Sequence, residues 1–264
     1  MVTAAGILAR FSLEGRVAVV SGGAGPQFGS SVTEALAEAG ATVISASRSM
    51  ERNDVFTAGL REQGYDAHAA QVDITVTESI TRLSDYVFQN FGGADILVNS
   101  AVVGRGGGFD DQTPEYWEHS AQGNMVGLFA MCKAFMPTMI ERQRGSIVNI
   151  ASIYGVVAND PSLYDGTDMK QPPDYTFVKG GMINFTRYLA NYFGRQGVRA
   201  NCICPGGYAS DQPGPFVENY EKRVPIGRML KNDDIKGAVV FLASDAAEYR
   251  TGTSLMVDGG WTSL

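Results

Sequence analysis

The sequence predicts one doubly wound α/β domain with a mainly parallel sheet of about seven strands. Short β-branched runs alternate with amphipathic helical segments along the chain. Helical crossovers between strands produce parallel sheets that are covered on both faces. No Pro/Ser-rich linker, charge run or internal repeat divides the 264 residues. A chain of this length can bury roughly 75% of its unfolded surface, so we expect residues 1–264 to share one core.

The first predicted strand is a short apolar, β-branched run, and the first predicted helix has Val32, Leu36 and Ala39 on one stripe. The strands are expected at 16–20, 42–46, 67–72, 95–98, 146–150, 198–204 and 254–257. The helices are expected at 30–39, 54–63, 77–91, 114–139 with a break near Gly123, 174–193 and 233–243. Gly40 ends the first helix, whereas Thr113 and Pro114 provide an N-cap and a proline start for the fourth.

Composition excludes several classes of partner. The formal net charge of −7 argues against nucleic acid or an anionic membrane, because both attract basic surfaces. No apolar run approaches the ~18 residues of a membrane span, and residues 1–10 lack the features of a signal peptide. Three cysteines indicate a reduced, cytoplasmic protein. His68 and His119 have no ligand-spaced partners and Cys202-x-Cys204 has no nearby His, so no metal site is expected.

A glycine-rich loop, Ser21-Gly-Gly-Ala-Gly-Pro-Gln-Phe-Gly29, joins the first strand to the first helix. Glycines in this position let the backbone approach a pyrophosphate, and the helix amino end offers free N–H groups to it. A tight strand-to-helix turn without a ligand is the alternative interpretation.

The end of the second strand indicates which dinucleotide the loop binds. An acidic residue there would hydrogen-bond the ribose 2′-hydroxyl of NAD, but this chain has Ser47 and Arg48. A hydroxyl and a guanidinium suit a 2′-phosphate, which favours NADP, although Ser47 would tolerate NAD. A solvated arginine after a strand is the alternative interpretation of Arg48.

Polar residues and a proline stand where predicted strands end, at Ser21, Ser47, Asp73, Asn99, Ser152 and Pro205. Because the carboxyl ends of parallel strands share one edge of a sheet, we expect these residues to surround a ligand. The glycine-rich segment 105–108 is either a substrate-side loop or a solvated connection.

Tyr175 and Lys179 are four residues apart, which places both side chains on one face of a helix. A phenol normally has a pKa near ~10, and a cation one turn away favours the phenolate. The pair can therefore transfer protons, although the same spacing also occurs on ordinary helix surfaces.

In order along the chain, the motifs resemble those of the short-chain dehydrogenase/reductase family. They are the loop at 21–29, Asp73, Asn99-Ser-Ala101, Asn124, Ser152, Tyr175-x-x-x-Lys179, Pro205-Gly206 and Asp258-Gly-Gly260. The resemblance spans residues 13–261. It implies a Rossmann fold, a single dinucleotide-binding domain over 1–264, and NAD(P)-dependent interconversion of a secondary alcohol and a ketone.

The resemblance also implies roles for the catalytic residues. Tyr175 is the general acid/base, Lys179 lowers the Tyr175 pKa and holds the nicotinamide ribose, and Ser152 hydrogen-bonds the reacting oxygen. Asn124 fixes a water that links Lys179 to solvent.

The cofactor residues implied by the resemblance and by the strand ends are Ser21, Gly22, Gly29, Ser47, Arg48, Asp73, Asn99, Tyr175, Lys179, Pro205, Gly206 and Ser210. Asp73 either contacts adenine or only caps its strand, Asn99 braces the sheet, and Ser210 touches the carboxamide. The family further implies a homotetramer or homodimer, with interfaces that involve helices near 114–139 and 174–193.

Four departures from the family pattern bear on pyrophosphate and substrate binding. Ser21 replaces Thr in a loop one residue longer, with Pro26 and Gln27 where a glycine is usual, and Val102 replaces a glycine. Ser152 and Tyr175 are 23 residues apart, which leaves an unusual polar insertion at 160–173. The segment after Pro205 is also polar.

The polar insertion and loop predict a hydroxyl-rich substrate and a role in carbohydrate metabolism, similar to the gluconate 5-dehydrogenase-like branch for sugars, sugar acids and polyols. Candidate substrate residues are Arg105, Tyr154, Tyr164, Asp165, Tyr208 and Gln212. The insertion could instead cover the core or meet a neighbouring subunit. A reductase of a less polar ketone or acyl substrate, and a non-catalytic dinucleotide-binding protein, remain the alternatives.

Overall fold

A computed structural model describes residues 6–104 and 106–263, and it confirms the predicted fold class. Seven strands form one sheet in the order β3-β2-β1-β4-β5-β6-β7, and every neighbouring pair is parallel. The strands are β1 Val17–Ser21, β2 Thr42–Ser47, β3 Ala67–Gln71, β4 Ile96–Asn99, β5 Gly145–Ile150, β6 Val198–Pro205 and β7 Ser254–Val257.

Helices cover both faces of this sheet. They are α1 Phe28–Glu38, α2 Met50–Glu62, α3 Thr77–Phe91, α4 Pro114–Ala121, α5 Leu128–Glu141, α6 Pro173–Phe193, α7 Gly214–Arg223 and α8 Lys236–Ala243. Successive strand residues alternate between the two faces, as the pleat requires. Leu97 lies in the core beneath α3, α5 and α6, whereas Val98 lies in the core beneath α1 and α8.

Two helices differ from the sequence prediction. Helix α2 begins at Met50, four residues before the predicted start, because the Ser49 side chain accepts a hydrogen bond of 3.2 Å from the Arg52 backbone N–H. Helix α7 was not predicted. Of its side chains only Phe216 and Tyr220 are buried, so its formation depends on packing against the 160–173 insertion and Trp261.

The predicted break near Gly123 is a π-helical turn, Gln122–Gly127, between α4 and α5. Its two glycines make close approach possible. A Cβ atom at Gly123 would lie 2.4 Å from the Val103 side chain, and one at Gly127 would lie 2.2 Å from the Ile74 carbonyl oxygen. The turn therefore packs directly against the loops that follow β3 and β4, and it carries Asn124.

The carboxyl ends of the central strands are joined by polar side chains. Ser21 is level with Asn99, and Asn99 is level with Asn149. The Asn99 amide donates to Asn149 Oδ1 at 2.8 Å, and Asn149 donates to Thr186 Oγ1 of α6 at 2.7 Å. These bonds fix the edge of the sheet at which the predicted site residues meet.

Candidate active site

The glycine loop folds back on itself at the end of β1. Gly22 has φ +71° and donates its N–H to Ala46 at 2.6 Å. A Cβ atom at Gly29 would lie 1.9 Å from the Gly22 carbonyl oxygen, so a side chain here would displace the loop. The Thr33 hydroxyl lies 3.0 Å and 2.9 Å from the Gly23 and Gly29 carbonyl oxygens. The loop therefore accommodates its extra residue and Pro26, and its backbone at Gly22 and Gly29 still packs closely together.

A cleft of about 680 Å³ opens beside this loop, which is within the usual size range of ligand sites. It is lined by the glycine loop, the segment after β2, the residues after β3 and the loop after β4. The lining residues are Gly22, Gly25, Pro26, Gln27, Phe28, Gly29, Ser47, Arg48, Ser49, Arg52, Val72, Ile74, Ser100, Ala101, Val102 and Val103. No Asp or Glu belongs to this lining of described residues.

Two exposed arginines make one end of the cleft cationic. Arg48 follows β2, and Arg52 lies in the first turn of α2. The Ser47 hydroxyl donates to Asn53 Oδ1 at 3.0 Å, which fixes the backbone from which Arg48 extends. Arg52 was not predicted as a site residue, because the predicted helix began at residue 54. Ser49 as an N-cap, with Arg52 three residues later, was the signal that could have revealed it.

Ser21 and Asp73 lie beside the cleft and do not line it. The Ser21 hydroxyl accepts hydrogen bonds from Ser100 N at 3.2 Å and Ala101 N at 3.3 Å, so it joins β1 to the loop after β4. Asp73 accepts from the Thr75 backbone and hydroxyl at 2.9 Å and 2.7 Å. Burial opposes ionisation of Asp73, but these bonds and the Arg48 charge lower its pKa overall. Adenine contact by Asp73 remains a prediction.

Tyr175 and Lys179 share one face of α6, as their spacing predicts. Tyr175 is half-buried and Lys179 is only 5% exposed. The Lys179 ammonium lies 5.4 Å from the centre of the Tyr175 ring. It also donates to the Ile150 carbonyl oxygen at the end of β5, at 2.6 Å. Stabilisation of the Tyr175 phenolate by this buried cation remains a prediction.

Ser152 comes to the same helix from the end of β5. Its backbone is extended, its side chain is buried, and its hydroxyl accepts from the Tyr154 backbone N–H at 3.1 Å. Gly155 then packs directly on α6, because a Cβ atom there would lie 2.6 Å from the Lys179 carbonyl oxygen. This contact brings the Ser152 segment against the helix of Tyr175 despite the long insertion between them.

The Asn124 side chain holds the π turn against the loop after β4. Its Oδ1 accepts from Val103 N at 2.9 Å, and its Nδ2 donates to Val103 O at 2.6 Å and to Ser120 Oγ at 3.1 Å. Both the oxygen and the nitrogen of the Asn124 side chain are therefore hydrogen-bonded to protein groups. A water relay at Asn124 remains a prediction.

Two phenols lie on this side of the site: Tyr154 follows Ser152, and Tyr164 belongs to the insertion. Both pack against the cluster that contains Phe216, and Tyr164 donates to Oε1 of Gln171. Burial raises the pKa of both phenols, so both stay protonated at neutral pH. Tyr154 is close enough to Tyr175 for their charges to interact. The insertion thus borders the proposed reaction centre.

The other candidate substrate residues are placed differently. Tyr208 donates to Asn232, and the Gln212 amide bonds Ser210 N and Tyr208 O at 2.7 Å each, which folds the segment after Pro205. Asp165 and Ser210 are exposed. Arg105 lies outside the described residues.

Comparison with known proteins agrees with this geometry. A family model described as enoyl-(acyl carrier protein) reductase matches residues 23–262. The chain belongs to the short-chain dehydrogenase/reductase family. It is an NAD(P)-dependent oxidoreductase, as the ordered motifs predicted.

Three relatives illustrate the range of this family. The chain is 34% identical to a D-threitol dehydrogenase of Mycolicibacterium smegmatis, over 96% of this chain and 95% of the relative. It is 31% identical to a 3-oxoacyl-acyl-carrier-protein reductase of Haemophilus influenzae, over 94% and 98%. A structure of gluconate 5-dehydrogenase from Burkholderia cenocepacia in complex with NADP and tartrate matches with a TM-score of 0.89 and 30% identity, over 97% and 99%.

The described residues fit the dinucleotide that the family uses. The glycine loop lines the cleft with backbone at Gly22, Gly25 and Gly29, at the amino end of α1, where a pyrophosphate is held in this fold. Arg48 and Arg52 supply positive charge at the β2 end of the cleft, where the adenosine ribose lies in this fold. When bound, the nicotinamide supplies the hydride chemistry.

Proposed function

We propose that the enzyme interconverts a secondary alcohol and a ketone on a polyhydroxylated small molecule, such as a sugar, sugar acid or polyol, with NADP as the preferred cofactor. The observation that carries the substrate class is the pair of half-buried phenols, Tyr154, which lies near Tyr175, and Tyr164, which donates to Gln171. Polar groups beside the reacting atoms favour the binding of substrates whose hydroxyls they can hydrogen-bond, because an apolar substrate would leave these groups without partners. The D-threitol dehydrogenase relative supports the same class.

In this proposal Tyr175 removes the proton of the substrate hydroxyl during oxidation and returns it during reduction. Lys179 stabilises the phenolate, since its ammonium lies 5.4 Å from the ring. Ser152 donates a hydrogen bond to the reacting oxygen as its charge changes. Asn124 carries the proton relay to solvent through a water.

We expect purified enzyme to bind NADPH more tightly than NADH in a fluorescence titration, and the Arg48→Ala/Arg52→Ala double variant to lose most of that difference. Hydrogen bonds between charged groups contribute about 1.5–3 kcal/mol each, so NADPH affinity should fall roughly 100-fold while NADH affinity changes little.

Arg82→Ala is the matched control, because Arg82 is exposed on α3 and lies outside the cleft lining. Equal affinities for the two cofactors in the wild-type enzyme would refute the NADP preference and leave the dehydrogenase assignment intact.

A substrate panel tests the proposed class. We expect kcat/KM for the best of D-threitol, galactitol and gluconate to exceed that for a 3-oxoacyl thioester by at least about 100-fold in the corresponding direction. Tyr164→Phe should reduce the polyol value about tenfold, because it removes the hydroxyl that donates to Gln171 within the insertion.

A reductase of acyl substrates is the second candidate. It is favoured by the family model and by the Haemophilus influenzae relative. Faster turnover of the thioester than of every polyol would establish it in place of the first proposal.

We also propose a homotetramer, or at least a homodimer, in the cytoplasm. Exposed apolar side chains on the π turn, α5 and α6 support an interface between copies of the chain; they are Met125, Val126, Phe129, Phe177, Tyr188 and Tyr192. A solution mass of one chain by light scattering would contradict it.

No helix of the described residues is long and apolar enough to cross a membrane.

A further inference from the structure

Asp174, the residue before Tyr175, is a buried carboxylic acid whose role the proposed mechanism leaves open. It is 3% exposed and lies in the first turn of α6. Its hydrogen-bond partners among the described residues are neutral: Gln112 Nε2 donates to Oδ1 and Ser120 Oγ donates to Oδ2, each at 2.6 Å. Burying an acid is costly, so a position like this requires strong compensation.

The start of α6 supplies part of that compensation. Pro172 occupies the N-cap position and makes no side-chain cap, and Pro173 is the first helical residue. The amino end of a helix carries a partial positive charge that stabilises an acidic side chain in the first turn. Asp174 is thus one of the side chains that attach the beginning of this helix to the rest of the protein, together with Thr176, whose hydroxyl donates to Asn159 Oδ1 at 3.3 Å.

The hydrogen bonds from Asp174 lead directly to the other side of the site. Ser120 Oγ, which donates to Asp174, accepts from Asn124 Nδ2 at 3.1 Å, and Asn124 is bonded in both directions to the Val103 backbone. Gln112, the second donor, also bonds the Gly106 carbonyl oxygen at 2.9 Å. One carboxyl group therefore links the loop after β4, helix α4, the π turn and α6.

Tyr175 is the next residue after Asp174 in the first turn of α6, where a helix end can fray. Lys179, one turn later, donates to the Ile150 carbonyl oxygen. Asp174 and Lys179 therefore connect α6 to the rest of the protein on either side of Tyr175.

We propose that Asp174 is a positioning residue, which sets Tyr175 against Asn124 through the Gln112 and Ser120 hydrogen bonds. This inference rests on the proposed function, since it assigns a support to the proposed acid/base residue. Small displacements of a proton-transfer group have large kinetic effects, because about 1 Å of misplacement can cost ~100-fold in rate.

The test uses Asp174→Asn, Ser120→Ala and the double variant in the full-length enzyme, with NADPH titration to count competent sites. We expect each single variant to lower kcat per competent site by about tenfold or more. KM for the substrate and affinity for NADPH should stay within about twofold. Because both residues act through one chain of bonds, the double variant should lose no more than the worse single variant.

Asp85→Asn is the control, since Asp85 is an exposed acid on α3 that lies outside the cleft lining and the insertion. A melting temperature lowered in the Asp174 and Ser120 variants, with kcat per competent site unchanged, would show a purely structural role and overturn the inference. Multiplicative losses in the double variant would overturn it too.

Two further measurements separate this inference from the proposed function. If Tyr175→Phe retains turnover, the acid/base assignment itself fails, whatever Asp174 does. A crystal structure of Ser120→Ala requires no substrate. The inference expects the Tyr175 hydroxyl to shift relative to Ser152 while the sheet superimposes, and an unmoved hydroxyl would count against it.

Discussion

Replacing Tyr175 by Phe is expected to lower kcat about 1,000-fold while NADPH affinity stays within about threefold. The change removes one hydroxyl from a half-buried ring and keeps the ring that packs near Lys179. A positioned acid/base group contributes roughly 10²–10⁴-fold to rate, so the loss should appear in the chemical step. Steady-state kinetics with the best panel substrate, together with NADPH titration, measure both quantities.

Tyr249→Phe is the matched control, because Tyr249 is fully exposed and remote from the site residues in sequence. We expect this variant to retain wild-type kinetics. Turnover by Tyr175→Phe at more than about a tenth of the wild-type rate would exclude Tyr175 as the acid/base. NADPH binding without turnover of any alcohol or carbonyl compound by the wild-type enzyme would favour a non-catalytic dinucleotide-binding protein.

Gly29→Ala is expected to abolish tight cofactor binding, the second large effect. The new Cβ would lie 1.9 Å from the Gly22 carbonyl oxygen. No change of side-chain rotamer can relieve this clash, because the oxygen belongs to the backbone and the Cβ atom is attached directly to it. The loop must move away from α1. Overpacking of this kind costs about 1–3 kcal/mol, and displacement of the loop should weaken NADPH binding by at least about 100-fold.

Gly59→Ala provides the comparison. Gly59 lies inside α2, and no atom within 4 Å would meet an added Cβ. Alanine favours helices over glycine, so this variant should gain up to about 1 kcal/mol in stability with unchanged NADPH affinity. Titration and thermal unfolding distinguish the two cases. Undiminished NADPH binding by Gly29→Ala would mean that the loop does not contact the cofactor.

Strand positions and their common edge could be predicted because they depend on local pattern. Apolar β-branched runs define β1, β2 and β6, and a parallel sheet necessarily brings their carboxyl ends together. The helical spacing of Tyr175 and Lys179 placed both on one face for the same reason. The glycine loop was recognisable from its strand-loop-helix context.

Two features were not predicted, one for a local reason and one for a long-range reason. The earlier start of α2, and with it Arg52, follows from a local cap at Ser49 that apolar periodicity does not reveal. Helix α7 exists because Phe216 and Tyr220 pack on the insertion and Trp261. Neither pattern is strong enough locally to outweigh the loop propensity of its surroundings.

The amino-acid pattern alone therefore established the fold class, the edge of the sheet that holds the site, and the face shared by Tyr175 and Lys179. Tertiary packing determined which polar side chains face the cleft and which brace it. Ser21 and Asn124 bond neighbouring backbone, and Asp174 connects Gln112 and Ser120 across 62 and 54 residues of chain. Apolar periodicity predicts only local structure, from residues close in the sequence. A hydrogen bond across the sheet edge depends instead on how the whole chain folds.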